Sequence, residues 1–226
     1  MRFRLSRGAR LIRFPATDGV DLEGRLTVAA RDRGVVLCHP HPLYGGSMLT
    51  PVILTAEQAF QEAGYTTLAF NFRGVGGSRG THDDGRAEGG DVAGALACLA
   101  DSLGGSPRTQ AVAGYSFGSV VGGRVAAEDW TVSLYLGIAP PLNRHAFGFL
   151  RTATCRIALI GGSRDEFCDR ARLDDLHAAL IAPVWLRVLD TDHFFTRAMD
   201  ELAVACRDVI AWAAAQDMEG HGRPTS

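Results

Sequence analysis

The chain has 226 residues, of which 46% are hydrophobic and 21% charged, so it suits one globular domain with a sizeable core and not a disordered protein. A formal net charge of −2 gives no reason to expect nucleic acid or an anionic membrane as a partner. Five scattered cysteines without a CxxC pair, and no apolar segment that suits a signal peptide or a membrane span, predict a cytoplasmic location.

Short apolar runs alternate with helical patterns along the chain, which is typical of a mostly parallel sheet with helices on both faces. We predict one α/β domain over residues 1–215, with a doubly wound sheet and an antiparallel N-terminal edge, followed by a flexible polar tail over 216–226. In chain order the predicted elements are strands at 10–15, 22–28 and 34–38, a helix from Thr50-Pro51 to Gly64, a strand at 66–70, a helix at 91–101, a strand at 110–114, a helix at 119–128, strands at 132–138 and 156–160, a helix at 168–180, a strand at 184–189 and a helix at 196–214.

The segment Gly114–Gly118 reads GYSFG and lies between a predicted buried strand and a helix rich in small residues. This G-x-S-x-G pattern is typical of a tight strand–turn–helix elbow, in which glycines on both sides of the serine let strand and helix approach closely. The elbow exposes the serine hydroxyl above a helix N-terminus, where developing negative charge is stabilised. We therefore predict that Ser116 is a nucleophile, and that Gly122 and Gly123 let the helix pack closely on the sheet.

A serine hydroxyl needs a general base, and the base needs an acid that orients it. The sequence GGSRDEF after the strand at 156–160 places Asp165 in the next turn, and DTDHFF after the strand at 184–189 places His193 beyond that strand. The carboxyl ends of parallel strands meet at one edge of a sheet, so we predict that both side chains converge on Ser116. Other carboxylates that could serve as the acid are Glu166, Asp190 and Asp192, the last of which adjoins the histidine and is expected to face away from it.

Three separate stretches match a known family in the expected order. HPHPLYGGSM (39–48), NFRGVGGSRG (71–80) and GYSFGS (114–119), together with Asp165 and His193, resemble the small, lidless bacterial α/β-hydrolases that are often described as esterases. The resemblance covers residues 10–214. It implies an α/β-hydrolase fold without a substantial lid and a catalytic triad of Ser116, Asp165 and His193, and it implies little about the substrate.

The pair His39 and His41 follows the third predicted strand, and an H-x-H pair in that place also begins the metal site of amidohydrolase-type enzymes. Such a site needs further histidines and a carboxylate at other strand ends. Here those ends carry Ser116, Asp165 and a single histidine. We therefore predict no metal ligand and no cofactor.

The resemblance gives this loop another role, which is to complete the oxyanion hole that holds the negative charge of a tetrahedral intermediate. One donor is the backbone N–H of the residue after the nucleophile, Phe117, and the other comes from this loop. Aligning His39 with the histidine that commonly opens the loop favours the backbone N–H of His41, and leaves His39 to form structural hydrogen bonds. The loop also offers the N–H groups of Leu43 and Tyr44, whereas its prolines have none.

The glycine-rich stretch 73–86 matches neither the dinucleotide-binding fingerprint nor the P-loop. The fingerprint requires glycine where Arg79 stands, and the P-loop requires lysine where Arg86 stands. We expect a loop near the strand ends that could border the pocket. The remaining histidines are expected to be surface or partly buried residues: His82, His145, His177 and His221.

These features predict a carboxylesterase-like serine hydrolase that forms an acyl-enzyme on Ser116 and takes a small-molecule ester, with no nucleic acid or membrane partner. Only residues 139–154 lie between the sixth and seventh strands, where lids are usually inserted, so small or short-acyl substrates are favoured. The alternatives are a thioesterase or peptidase with the same triad and a hydrolase-fold protein that binds without turnover. The oligomeric state is left open.

Overall fold

The structure is a computed structural model that describes residues 8–220, with the side chains described up to residue 216. Within this part of the chain, eight strands form one sheet: β1 (Arg10–Pro15), β2 (Asp21–Thr27), β3 (Arg33–Cys38), β4 (Thr66–Phe70), β5 (Thr109–Tyr115), β6 (Leu134–Ile138), β7 (Arg156–Gly162) and β8 (Val184–Leu189). Among the same residues, five α-helices flank the sheet: α1 (Pro51–Glu62), α2 (Glu88–Leu103), α3 (Phe117–Glu128), α4 (Arg170–Ala179) and α5 (Met199–Gly220), and short 3-10 helices lie at Pro42–Tyr44 and Gly148–Thr152.

The strands are ordered β1-β2-β4-β3-β5-β6-β7-β8 across the sheet. Strand β2 runs antiparallel to both of its neighbours, β1 and β4, whereas β4, β3 and the strands from β5 to β8 are parallel to one another. The predicted doubly wound sheet with an antiparallel N-terminal edge is therefore confirmed.

Side chains that point alternately to the two faces of the central strands divide the core into two layers. In β3, Val35 and Leu37 pack against α1 in the core layer that also contains α5, while Val36 and Cys38 face α2 and α3 on the other side. Successive side chains of a strand point to opposite faces, so a continuous apolar run is what a strand covered on both sides requires.

The boundaries of two helices, α2 and α5, differ most from the sequence prediction. Helix α2 begins at Glu88, whose carboxylate accepts the N–H groups of Asp83 and Gly85 just before the helix, so the first turn is polar and lacks the apolar pattern that the prediction used. Helix α5 continues to Gly220, past residue 216 where the tail was predicted to begin, and the rest of that tail, residues 221–226, lies outside the described residues.

The sheet order creates a switch point between β3 and β5. The chain leaves β3 through α1 to reach β4 on one side, whereas β5 lies on the other side, with Cys38 paired to Gly114. Ligand sites in open α/β sheets lie at the carboxyl ends of strands beside such a point. The loop that follows β3 and the elbow that follows β5 therefore begin side by side.

The segment between β6 and β7 does not form a lid. Its 3-10 helix packs against α3, and Phe147 and Leu150 are buried in the core. Within residues 8–220, no helix combines the length and the apolar character that crossing a membrane would require.

Candidate active site

Ser116 lies at a sharp turn between β5 and α3, with φ of 52° and ψ of −117°. Its N–H donates to the Ile138 carbonyl at 2.9 Å, which ties the turn to β6. A Cβ atom on Gly114 would lie 2.2 Å from the Gly118 carbonyl oxygen, and one on Gly118 would lie 2.1 Å from the Cys38 oxygen. Such contacts are far shorter than any real Cβ makes, so the two glycines are required for the predicted elbow.

The helix after the elbow packs as closely on the sheet as its glycines predict. A Cβ on Gly122 would lie 2.9 Å from Val112 Cγ1, and one on Gly123 would lie 2.9 Å from the Tyr135 ring. The helix N-terminus is thereby held directly below the Ser116 hydroxyl, where unpaired N–H groups favour negative charge.

The structure brings Ser116, His193 and Asp165 into one hydrogen-bonded chain. His193 Nε2 lies 2.9 Å from Ser116 Oγ, and His193 Nδ1 lies 2.8 Å from Asp165 Oδ2. The side chains of His193 and Asp165 are 6% and 0% exposed, so water does not compete for these contacts. With its proton on Nδ1 facing the carboxylate, the imidazole presents the Nε2 lone pair to the serine hydroxyl.

Neighbouring groups fix the orientation of the acid and of the imidazole. The Phe167 N–H donates to Asp165 Oδ1 at 2.8 Å, and the Tyr115 hydroxyl donates to the His193 carbonyl at 3.0 Å. The Phe167 ring also contacts the imidazole, with centroids 4.6 Å apart. Sequence reasoning missed these two aromatic residues, although each stands within two positions of a predicted site residue.

The other carboxylates near the histidine are engaged elsewhere. Asp190 pairs with Arg164, and Asp192 accepts the backbone N–H groups of Phe194 and Thr196. These hydrogen bonds, led by that from Thr196, lower the pKa of Asp192. Among the described residues, only Asp165 brings a carboxylate to His193, and neither Asp190, Asp192 nor Glu166 contacts the imidazole through its carboxylate.

The loop after β3 leaves one of its three candidate N–H groups free. The Leu43 N–H donates to His41 Nδ1 at 3.2 Å, and the Tyr44 N–H donates to the His41 carbonyl at 3.1 Å. Within residues 8–220, the N–H groups of His41 and Phe117 have no acceptor. The loop turns back at Gly46, where a Cβ would lie 2.1 Å from the Pro40 oxygen.

His39 has the structural role that was expected of it. The side chain is fully buried, with Nδ1 2.6 Å from the Pro40 carbonyl, and Nε2 accepts the Phe72 N–H at 3.0 Å. Burial lowers the pKa of His39 to about 4, so the ring is neutral and can accept that hydrogen bond. It thereby links the loops that follow β3 and β4.

A cavity of about 720 Å³ opens above Ser116. Aromatic rings of Tyr44, Phe167 and Phe194 form much of its wall, and the segment between β6 and β7 contributes Arg144 and His145. The sequence had left His145 without a role. In the described part of the chain, no residue of the glycine-rich stretch 73–86 lines this cavity, although the His82 ring lies behind its wall against His41, with centroids 4.8 Å apart.

No family model matches the chain. The Rickettsia prowazekii (strain Madrid E) protein RP471, which is itself described as uncharacterized, is 31% identical over 202 residues, covering 84% of each chain. The chain belongs to the family of this Rickettsia protein.

Solved structures show which fold this family has. A serine hydrolase homologue of the alpha-beta class from Coxiella burnetii is 28% identical, with a TM-score of 0.80 over 92% of this chain and 99% of that chain. The protein XC6422 from Xanthomonas campestris, described as a serine hydrolase without a lid, is also 28% identical, with a TM-score of 0.81 over 93% and 97%. The chain therefore has the lidless α/β-hydrolase fold.

Proposed function

We propose that the protein is a serine hydrolase that cleaves carboxylic esters through an acyl-enzyme on Ser116. The observation that carries this proposal is the hydrogen-bonded chain from Ser116 through His193 to Asp165, at 2.9 and 2.8 Å, on a strained elbow beneath a cavity. Its solved relatives from Coxiella and Xanthomonas are described as α/β serine hydrolases, which supports the same reaction class here.

The reaction starts with attack of Ser116 Oγ on the acyl carbon of the ester, while its proton passes to His193 Nε2. The Asp165 carboxylate holds the Nδ1 proton and stabilises the imidazolium that forms. The tetrahedral intermediate then collapses: the bond from carbon to the alcohol oxygen breaks, and the leaving alcohol takes the proton from Nε2. Water, deprotonated by the same imidazole, attacks the acyl-enzyme, and the acid leaves with the serine restored.

The oxyanion of each tetrahedral intermediate is held by the backbone N–H groups of Phe117 and His41. Two observations support this choice. Neither N–H has an acceptor among the described residues, while the rival N–H groups of Leu43 and Tyr44 are already donated to atoms of His41. Each such donor contributes about 10²–10³ in rate.

The substrates we propose are small or short-acyl esters. The cavity is open, and the segment after β6 packs on α3 and does not cover it. A methylene group contributes about 0.8 kcal/mol only when it is buried. We therefore expect kcat/KM to rise with acyl length until the chain leaves the cavity and then to level off.

All five cysteines are free thiols, which supports a cytoplasmic location.

The deciding experiment combines covalent labelling with a substrate panel. A fluorophosphonate should add one adduct to the intact protein, located on Ser116 by peptide mapping and absent from Ser116→Ala. No adduct on the folded protein would favour a binding protein without turnover. Matched esters, thioesters and amides with one acyl group should show the highest kcat/KM for the ester, and preference for a thioester or an amide would overturn the substrate class while keeping the nucleophile.

A further inference from the structure

A further buried imidazole lies behind the loop that carries His41. The His82 side chain is 7% exposed, and its ring packs against the rings of both His41 and Phe117, with centroids 4.8 and 5.4 Å away. Its Nδ1 lies 2.7 Å from Glu88 Oε1 and its Nε2 lies 3.3 Å from Asp84 Oδ1, but neither contact has the geometry of a hydrogen bond. A buried polar atom without such a bond is costly and calls for a ligand or another explanation.

The neighbours of this imidazole complete a set of metal-binding groups. His41, His82 and Asp84 each offer one ligand atom, and these three atoms lie within 4.8 Å of one another. In a tetrahedral zinc site, bonds of about 2.0–2.1 Å place the ligand atoms about 3.3 Å apart. The pair formed by His82 and Asp84 already has this separation, so only His41 has to approach, by up to about 1.5 Å.

We propose that His41, His82 and Asp84 bind a divalent transition-metal ion, and that Zn²⁺ is the ion that fits these donors. Two imidazoles and a carboxylate are ligands that zinc takes in sites with a fourth, open position. Glu88 stands where a supporting carboxylate commonly stands, against the other ring nitrogen of a ligating histidine.

Occupancy of this site would act on the proposed oxyanion loop. His41 Nδ1 accepts the Leu43 N–H at 3.2 Å. An ion bound at Nδ1 occupies the lone pair that accepts this hydrogen bond. An ion bound at Nε2 leaves the ring proton on Nδ1, which then cannot accept the bond. Binding at either nitrogen therefore removes the hydrogen bond. The loop that presents the His41 N–H is thereby altered, and we expect zinc to lower kcat. This consequence rests on the proposed ester hydrolysis, whereas zinc binding itself does not.

Calorimetric titration of the metal-free protein with Zn²⁺ tests the site directly, and the absorption spectrum of bound Co²⁺ reports its geometry. We expect one equivalent to bind with a tetrahedral cobalt spectrum. His82→Phe keeps a ring packed against those of His41 and Phe117, and Asp84→Asn keeps the side-chain shape. Each should weaken zinc binding by at least ~10-fold. His177→Phe, which changes an exposed histidine on α4, is the matched control and should bind as the wild type does.

Thermal unfolding in chelator shows whether each variant is folded. A wild-type protein that binds no zinc, or a folded His82→Phe variant that binds it as tightly, would overturn the site. In ester assays without metal, His82→Phe should match the wild type, and added zinc should inhibit the wild type and His177→Phe but not His82→Phe. Binding without inhibition would overturn the coupling to the loop. A protein without esterase activity would overturn the proposed function, while the titration would still decide the metal site.

Discussion

The backbone N–H of His41 can be removed by a substitution that its conformation accepts. His41 has φ of −52° and ψ of 124°, and proline fixes φ near −65°. The residue already precedes Pro42, for which an extended ψ is required. We therefore predict that His41→Pro leaves the loop path intact, deletes one oxyanion donor and lowers kcat far more than His41→Ala does.

The two variants differ in the backbone donor and share the other losses. Both remove the imidazole and with it the acceptor of the Leu43 N–H, a hydrogen bond that contributes about 0.5–1.5 kcal/mol, so His41→Ala should stay within about tenfold of the wild type. The missing N–H should cost His41→Pro a further ~10²–10³ in kcat, or about 2.7–4 kcal/mol. Ser116→Ala sets the scale of full loss, on the order of 10⁶ where this arrangement operates.

The assay is steady-state hydrolysis of a short-chain p-nitrophenyl ester, with kcat and KM separated and with thermal unfolding recorded for every variant. Equal kcat for folded His41→Pro and His41→Ala would show that the N–H is not used. A folded His41→Ala variant as damaged as Ser116→Ala would show that the imidazole itself takes part, and the assignment of the loop to backbone donation would be wrong.

Three further predictions follow from the site and its support. Asp165→Asn should keep the fold and lose ~10⁴ in kcat, because the imidazole takes the wrong tautomer; a kcat near the wild-type value in the same assay would remove Asp165 from the triad. Gly118→Ala should abolish activity and lower the melting temperature, since its Cβ would lie 2.1 Å from a carbonyl oxygen. Gly148→Ala is the control: its Cβ meets open space, so this variant should melt like the wild type. Equal melting temperatures for the two variants would contradict the close approach at Gly118. Burial lowers the pKa of His39 from 6.5 to about 4 in the folded protein. As the pH falls below 6.5, the unfolded chain therefore takes up a proton on this histidine before the folded protein does. The free energy of unfolding should drop by up to about 3 kcal/mol between pH 6.5 and pH 4. In urea unfolding, His39→Gln should reduce this dependence of the free energy of unfolding on pH, and an unchanged dependence would exclude His39 as its source.

Most of the fold could be predicted because the relevant forces are local or periodic. Continuous apolar runs such as that of β3 require a strand covered on both faces, and the turn chemistry at Thr50-Pro51 and Gly64 places the ends of α1. The limits of α2 and α5 were predicted less well, because polar helix ends carry no apolar period. The elbow at Ser116 was predictable because G-x-S-x-G is a contiguous local pattern, although only Gly114 is required by backbone four residues away, and Gly118 is required by the Cys38 oxygen of the neighbouring strand.

The sequence alone predicts the sheet, the elbow and the order in which a serine, a carboxylate and a histidine follow the ends of strands. The choice of the carboxylate that meets His193 depends on tertiary contacts, because Asp165 and Asp192 stand in similar loops and differ in the direction of their side chains. The resemblance favoured the N–H of His41, and the structure adds that this N–H is free while those of Leu43 and Tyr44 are donated to atoms of His41. The contact between His82 and His41 appeared only in the structure, whereas the sequence predicted no role for His82. Those contacts depend on how the loops after β3 and β4 pack on each other, and no local pattern or period in the sequence records that packing.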